Sequence, residues 1–343
     1  MISGQMALVV KAWRREQHSR PWLDAALAML LLAASSVPAS AHTDVRPTPD
    51  TIWTAWRPDP LFALLLLVAV WIYLRGVARM WARGGDGQGV RRWQLGAYLG
   101  GIATFALSRL TPLDAMGGSL FSAHMTQHLL VILVGPLLIA AGRPGLAILW
   151  ALPIQWRRRV TRLPKESRWV AAVWDGLNHW ASVLVLFAGV LWLWHVPALY
   201  DAALESQLVH DLEHATFAAM AVLFWRRVLE AGRPTGMGHA AAFLLIFATA
   251  LHSSALGALL TFARKPLYVS HMAYTDDWGL TPLEDQQLAG VIMWVPMGLW
   301  FTVTALILIG RWIVAAGESV QRLERAETDF ETATEHTVAT GRS

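Results

Sequence analysis

The chain contains no cysteine and little charge, and both absences narrow its chemistry. With no cysteine among the 343 residues, disulfides, thiolate copper sites and iron–sulfur clusters are excluded from this chain. Any metal must therefore bind through histidine, methionine, carboxylate or backbone ligands. Only 15% of the residues are charged and 55% are hydrophobic, which is far more apolar than a soluble globular domain. The composition predicts a polytopic membrane protein.

Strand-like alternation and repeats of fixed period are also missing, so the predicted fold class is all-α. Apolar runs long enough to cross a bilayer, about 20 residues each, lie near 61–80, 94–111, 122–141, 180–199, 208–228, 239–260 and 288–311. These runs predict a membrane helical bundle of seven transmembrane helices within residues 42–317. A shorter run at 146–153 ends in a proline and is expected to be interfacial or re-entrant.

The sequence predicts that the two termini lie outside this bundle. Residues 1–41 contain a basic stretch, an apolar stretch and then Ala39, Ser40 and Ala41, the small-x-small form of a signal-peptidase site. A signal peptide is expected here, with an uncleaved anchor as the alternative. Cleavage would make His42 the mature N-terminus, with an α-amine and an imidazole that could both bind a metal. Residues 318–343 are polar and are expected to form a cytoplasmic tail, a short helix that frays into disorder.

The net charge of +4 does not indicate nucleic-acid binding, because the Lys and Arg residues lie between the apolar runs. Basic loops face the cytoplasm, and the basic loops here are 75–93, 142–179 and 226–238, whereas 196–207 and 261–287 are acidic. This alternation predicts a multi-pass protein of the bacterial plasma membrane, in contact with its lipids. The N-terminus is expected outside and the C-terminus in the cytoplasm.

Five histidines lie at similar depth near the outer ends of three predicted spans: His124, His128, His195, His210 and His214. Two of these pairs are spaced i,i+4, so each pair shares one helix face and can converge on an ion. A single such histidine would usually hydrogen-bond a neighbouring helix, but five at one depth favour a metal or haem site. Neither pair is HExxH, which disfavours a zincin-type protease.

Three further residues are candidate metal ligands on the same side: His252, Asp285 and Met293. Asp285 could instead orient an imidazole or be an interfacial carboxylate, and Met293 could simply fill the core. Glu213, beside His214, has the same ambiguity as Asp285. Imidazole suits copper, zinc, iron and nickel, and thioethers add a bias towards reduced copper.

Several segments together resemble a known family. HMTQHLLVILVGPLLIAAGRP (124–144), LWHVPALYDAAL (193–204), HDLEHATFAAMAVLFW (210–225), LLTFARKPLY (259–268) and DQQLAGVIMWVPMG (285–298) look like those of the membrane-embedded CtaG family, assembly factors of caa-type cytochrome c oxidases. The resemblance runs from about Trp53 to Trp312. It implies seven helices and a role in maturing a haem–copper oxidase, with copper delivered to the catalytic subunit. By motif, it points to His124, His128, His195, His210, His214 and Asp285.

The leading hypothesis is a non-enzymatic assembly factor that holds copper at the outer leaflet and passes it to the oxidase catalytic subunit. Periplasmic copper chaperones are further candidate partners, and the oligomeric state is open, a homodimer included. The first alternative is a membrane copper transport or tolerance protein, which would need polar groups continuing to the cytoplasmic side. The second is a bis-His haem electron-transfer protein, which usually pairs histidines at two depths. An intramembrane hydrolase would need a nucleophile–base pair, and the sequence offers no convincing one.

Overall fold

The computed structural model describes residues 47–56, 59–233 and 236–340, and this part of the chain is helical without β-strands. The predicted signal peptide 1–41 and His42 lie outside the described residues. In chain order the α-helices are α1 (Pro60–Gly84), α2 (Arg92–Arg109), α3 (Pro112–Gly117), α4 (Phe121–Leu129), α5 (Gly135–Ala141), α6 (Pro144–Ala151), α7 (Ile154–Glu166), α8 (Arg168–Asn178), α9 (Trp180–Trp194), α10 (Pro197–Glu205), α11 (Gln207–Leu229), α12 (His239–Thr261) and α13 (Pro282–Thr340).

The structure corrects the predicted number of spans. In the described part of the chain, four stretches are long and apolar enough to cross a membrane: α1, α4 through α5, α12 and Pro282–Arg322 of α13. The pair α8 and α9, bent by 71° between them, makes five at most. The predicted runs 94–111 and 208–228 do form α2 and α11, but charged residues within both helices lower their apolarity. Seven is therefore wrong by this measure, although the apolar helices fit a membrane protein.

The helices give the molecule two opposite ends. α4 and α5 lead away from His124 towards α6 and α7, and α9 leads back from α8 to His195. α11 runs away from His210 until Arg226 hydrogen-bonds Asn178 at the end of α8. We call the end with residues 121–128, 195 and 210–214 the histidine end, and the end with α7 and α8 the hairpin end.

A π turn at Leu130–Val134 joins α4 to α5 directly after His128. Pro136 causes a local difficulty, because it lacks an N–H and its ring clashes with the carbonyl of Ile132 four residues earlier. The Trp225 indole on α11 donates to that carbonyl oxygen at 3.0 Å. The freed backbone group is thus satisfied by a neighbouring helix, as a membrane interior requires.

Aromatic side chains fill the bundle below the histidine end. Phe187 on α9 lies 5.0 Å from Phe224 on α11, between ring centroids, and Phe224 lies 5.8 Å from Phe301 on α13. These rings are buried, as are Phe217 and Trp225. We call these five residues the aromatic layer. Phe217 connects it to the histidine end, because its ring lies 4.7 Å from that of His128.

Glycine allows α12 and α13 to approach closely. A Cβ atom on Gly290 would lie 2.6 Å from the backbone N of Thr261 and 2.7 Å from the carbonyl O of Gly257. Small residues at such crossings are typical of packed membrane helices. The α13 helix then continues through Pro296 to Thr340, so residues 318–340 of the predicted tail extend the last helix.

At the hairpin end, α6 is the short run that the sequence assigned to an interfacial or re-entrant piece, and it packs on α1. The amphipathic helices α7 and α8 follow it, and neither has a buried residue. They therefore contribute nothing to the core of the described chain.

Candidate metal centre

Helices α4 and α11 bring four buried side chains together: His124, His128, Glu213 and His214. Their nitrogen and oxygen ligand atoms all lie within 4.8 Å of one another. His124 Nε2 lies 2.9 Å from His128 Nε2. The carboxylate of Glu213 lies 3.6 Å from His124 Nε2 through one oxygen and 3.4 Å from His128 Nε2 through the other. We call these four residues the metal cluster.

Burial makes this arrangement costly unless a cation or protons compensate it. Glu213 is fully buried, and an ionised carboxylate removed from water needs a partner. Within the described residues, neither oxygen of Glu213 and neither ring nitrogen of His214 has a hydrogen-bond partner. Three imidazoles and one carboxylate form a donor set that suits copper, zinc, iron or nickel. The residues present therefore fit a bound metal ion.

The other two predicted histidines flank the metal cluster. The ring of His210 lies 4.4 Å from that of His214 and 5.5 Å from that of His124. The ring of His195 lies 6.0 Å from that of His128. His195 Nδ1 lies 2.6 Å from the carbonyl oxygen of Leu191, which can only accept, so Nδ1 carries the proton. Nε2 then keeps its lone pair for a metal or a proton.

Asp285 on α13 contacts the first turn of α4 and is not one of the four clustered side chains. Its carboxylate accepts hydrogen bonds from Phe121 N at 2.7 Å, Ser122 N at 3.1 Å and Ser122 Oγ at 2.5 Å. An acidic group at a helix N-terminus satisfies free N–H groups and the helix dipole. Asp285 therefore ties α13 to the first turn of α4, just before His124. This geometry corresponds to an orienting role.

The two remaining predicted ligands, His252 and Met293, lie on α12 and α13. Met293 on α13 belongs to the apolar core and is 6% exposed. His252 on α12 has Phe187 as a ring neighbour at 6.0 Å. In the described residues, His252 is not among the four side chains whose ligand atoms converge.

Glu213 is the residue that the sequence reasoning noted but did not select as a ligand. The available signal was helical spacing, since His210, Glu213, His214 and Phe217 are spaced i, i+3, i+4 and i+7. All four are buried, so they occupy one face of α11. This spacing places the Glu213 carboxylate on the same face as His210 and His214.

A second polar network beside the metal cluster was not predicted. Arg109 at the end of α2 is buried, and its Nη2 lies 2.7 Å from Asp211 and 3.5 Å from Asp59. Its Nε lies 3.4 Å from Asp114, which also accepts from Gln127 at 3.1 Å. One guanidinium thus connects α1, α2, α3 and α11. No pairwise spacing in the sequence indicates such a contact.

Aromatic residues cover the other side of the metal cluster. The Tyr200 ring lies 5.0 Å from that of His124, and its hydroxyl lies 2.7 Å from His271 Nε2. Burial, followed by the negative charge of Glu213, raises the pKa of Tyr200 well above its usual value, so the phenol stays neutral. Tyr268 donates to the carbonyl oxygen of His195 at 2.8 Å. These contacts keep water away from the imidazoles.

Comparison with known protein families identifies the family of the chain. Residues 71–315 match the family model described as cytochrome c oxidase caa3 assembly factor, Caa3_CtaG. The chain belongs to this family. The resemblance inferred from the sequence motifs is thereby confirmed, and the family's role is the assembly of cytochrome c oxidase.

Relatives occur in mycobacteria. The uncharacterised protein Mb0105 of Mycobacterium bovis is 24% identical over 293 residues, which are 83% of this chain and 43% of that relative. The uncharacterised protein ML1998 of Mycobacterium leprae is 23% identical over 274 residues, which are 78% of this chain and 41% of that relative. The chain thus spans less than half the length of these relatives. No solved structure matches it significantly.

Proposed function

We propose that this protein is a non-enzymatic assembly factor that binds a copper ion at the metal cluster and passes it to the catalytic subunit of a cytochrome c oxidase. The observation that carries the proposal is the convergence of His124, His128, Glu213 and His214, whose ligand atoms lie within 4.8 Å in a member of an oxidase assembly family. His195 and His210 flank the ion as reserve ligands during loading and release.

Copper is the ion of choice because the client is a haem–copper oxidase and the donor atoms suit it. Imidazole and carboxylate bind copper without the thiolate that would hold it very tightly, and the chain has no cysteine. A delivery site needs ligands that exchange, so histidines that can leave the ion one at a time fit this use. The copper is cargo in this account and not a resident cofactor.

The copper transport alternative is less well supported, because apolar residues close the path beyond the metal cluster. The His128 ring packs on Phe217 at 4.7 Å, and the aromatic layer lies below. A transported ion would need polar groups on this path. An ion delivered from the histidine end would not have to pass these apolar residues.

The haem alternative also fits poorly. Two axial imidazoles on one iron need nitrogen atoms roughly 4 Å apart on opposite faces of the ring, at about 2 Å for each bond. His124 Nε2 and His128 Nε2 lie 2.9 Å apart on one helix. The rings of His128 and His195 also pack against Phe217, at 4.7 and 6.3 Å between centroids.

The same proposal includes location and partners. The charge pattern of the loops favours a bacterial plasma membrane protein with its C-terminus in the cytoplasm and the histidine end at the outer leaflet. Periplasmic copper chaperones are the natural source of the ion on that side. Lateral contact with the oxidase subunit within the membrane would then complete the transfer.

The proposal is tested in cells that lack the protein, by measuring oxidase activity and copper per assembled catalytic subunit. Both should fall by about 10-fold, while the amount of the subunit changes less. Cells with His210→Ala and His214→Ala together should show the same defect. His179→Ala, at the exposed start of α9, is the matched control and should behave as wild type. Normal copper in the oxidase of the deletion strain would contradict the proposal and favour the transporter.

A further inference from the structure

A groove of about 320 Å³ lies between α1, α2 and α11 and reaches the metal cluster from the side. Most of its wall is apolar, with Leu65 and Ala218 among the lining residues. Its polar part contains Asp59, Arg109, Asp211 and His214. His214 is therefore both a member of the metal cluster and part of the groove wall.

The polar part of the groove carries an excess of negative charge. Arg109 faces the carboxylates of Asp59 and Asp211 in the groove wall and of Asp114 outside it, so one positive charge in the wall meets two negative ones. The guanidinium is 4% exposed, whereas the side chains of Asp59 and Asp211 are 28% and 45% exposed. An exposed carboxylate at the mouth of a cleft attracts cations and raises their rate of arrival. The same charge repels anionic head groups and phosphate.

The distance from this mouth to the metal cluster is short. Asp211 and His214 are spaced i,i+3 on α11, so they are neighbours on the helix surface. His214 is 6% exposed, and neither of its ring nitrogens has a hydrogen-bond partner within the described residues. A cation held at Asp211 would thus meet an open imidazole one turn along the helix.

We propose that this groove is the access route of the metal cluster, with Asp211 and Asp59 attracting the copper ion and His214 binding it first. Arg109 holds α1, α2 and α11 around the mouth. The inference rests on the proposed function, because it assumes that the metal cluster binds copper. Asp211 then determines how fast copper enters, while the ligands determine how much is bound.

The experiment measures the rate and the extent of copper uptake by the purified full chain in detergent or nanodiscs. Metal-free protein is mixed with cuprous ion held by a coloured chelator, and the colour change gives both values. Asp211→Asn should lower the uptake rate by about 10-fold and leave the final stoichiometry unchanged. The wild-type rate should fall as salt increases, and the variant's rate should depend less on salt. Asp276→Asn, an exposed acid outside the groove, is the matched control.

A second variant narrows the groove without changing charge. Ala215 lines the groove beside His214, so Ala215→Phe should also slow uptake, whereas Ala219→Phe on the same helix should not. Full loading at the wild-type rate in either Asp211→Asn or Ala215→Phe overturns the route. Loss of binding capacity in both variants also overturns it, since neither residue is assigned as a ligand. If the wild type itself binds no copper, the proposed function fails instead.

Discussion

The two ends of the molecule differ in which kind of side chain is buried and which is exposed. At the histidine end, ionisable groups are inside: Glu213 is fully buried and His124 is 1% exposed. At the hairpin end, large apolar groups are outside: Trp169 is 81% exposed and α7 and α8 bury nothing. In lipid the first pattern marks a functional site, and the second marks a surface that lies on the membrane. The difference places the candidate metal site at one end of the described chain only.

The hairpin end has the composition of an interfacial anchor. Its exposed apolar side chains include Ile154, Val160, Val173 and Trp174, and its cations include Arg157, Arg158, Arg159, Arg162 and Lys165. Basic amphipathic helices bind the head-group region through both kinds of group. We therefore expect α7 and α8 to lie in the plane of the leaflet opposite the histidine end.

Among substitutions that test this difference between the two ends, Glu213→Gln is expected to change copper affinity most. The amide keeps the size of the side chain but removes the negative charge that lies within 3.6 Å of two imidazoles. Copper affinity should fall by about 100-fold or more, because a charged ligand in a site of low dielectric is lost. Competition titration against a chelator measures this. Glu205→Gln, at the exposed end of α10, should keep wild-type affinity, and equal affinity in the two variants would remove Glu213 from the site.

An intermediate effect is expected from Asp285→Asn. The carboxylate positions the first turn of α4 and touches no imidazole, and losses of such supporting contacts typically cost about 10- to 100-fold in metal affinity. Asparagine can still accept one of the N–H bonds, so the lower value is expected. The same titration applies, with Asp277→Asn as control. A loss as large as that of Glu213→Gln would indicate that Asp285 itself binds the ion.

The smallest effect on copper is expected at the hairpin end. Because the chain has no cysteine, single spin labels can be attached at Val173 and at Arg162 after substitution by cysteine. In nanodiscs the label at 173 should collide with oxygen in the lipid, and the label at 162 with a water-soluble paramagnetic agent. Copper affinity should change less than about 2-fold in either. Equal exposure of both labels to water would contradict an in-plane hairpin.

Local spacing allowed the sequence to predict part of the site. The i,i+4 pairs predicted which faces of α4 and α11 face each other, and the structure places the His195 ring 6.0 Å from that of His128. The same spacing would have added Glu213. In contrast, the contact between Asp285 and Ser122 spans 163 positions, and no local pattern contains it. Met293 stays a predicted ligand, because helical periodicity does not distinguish a thioether of the core from one that binds a metal.

The predicted span count was wrong for a related reason. Apolar length counted the runs 94–111 and 208–228 as spans, although Arg109 on α2 and Asp211 on α11 are charged and form an ion pair between the two helices. Such pairs allow charged residues to lie on packed helices, and their partners come from distant parts of the sequence. Fold class and family were therefore predictable, but the polar packing between helices was not.

The central claim is that His124, His128, Glu213 and His214 form a copper site, and the most direct test is copper per chain in the purified protein. After loading and removal of excess ion, the wild type should retain about one copper per chain. The double variant His124→Ala and His128→Ala should retain almost none while it stays folded. Unchanged copper in the double variant would contradict the account.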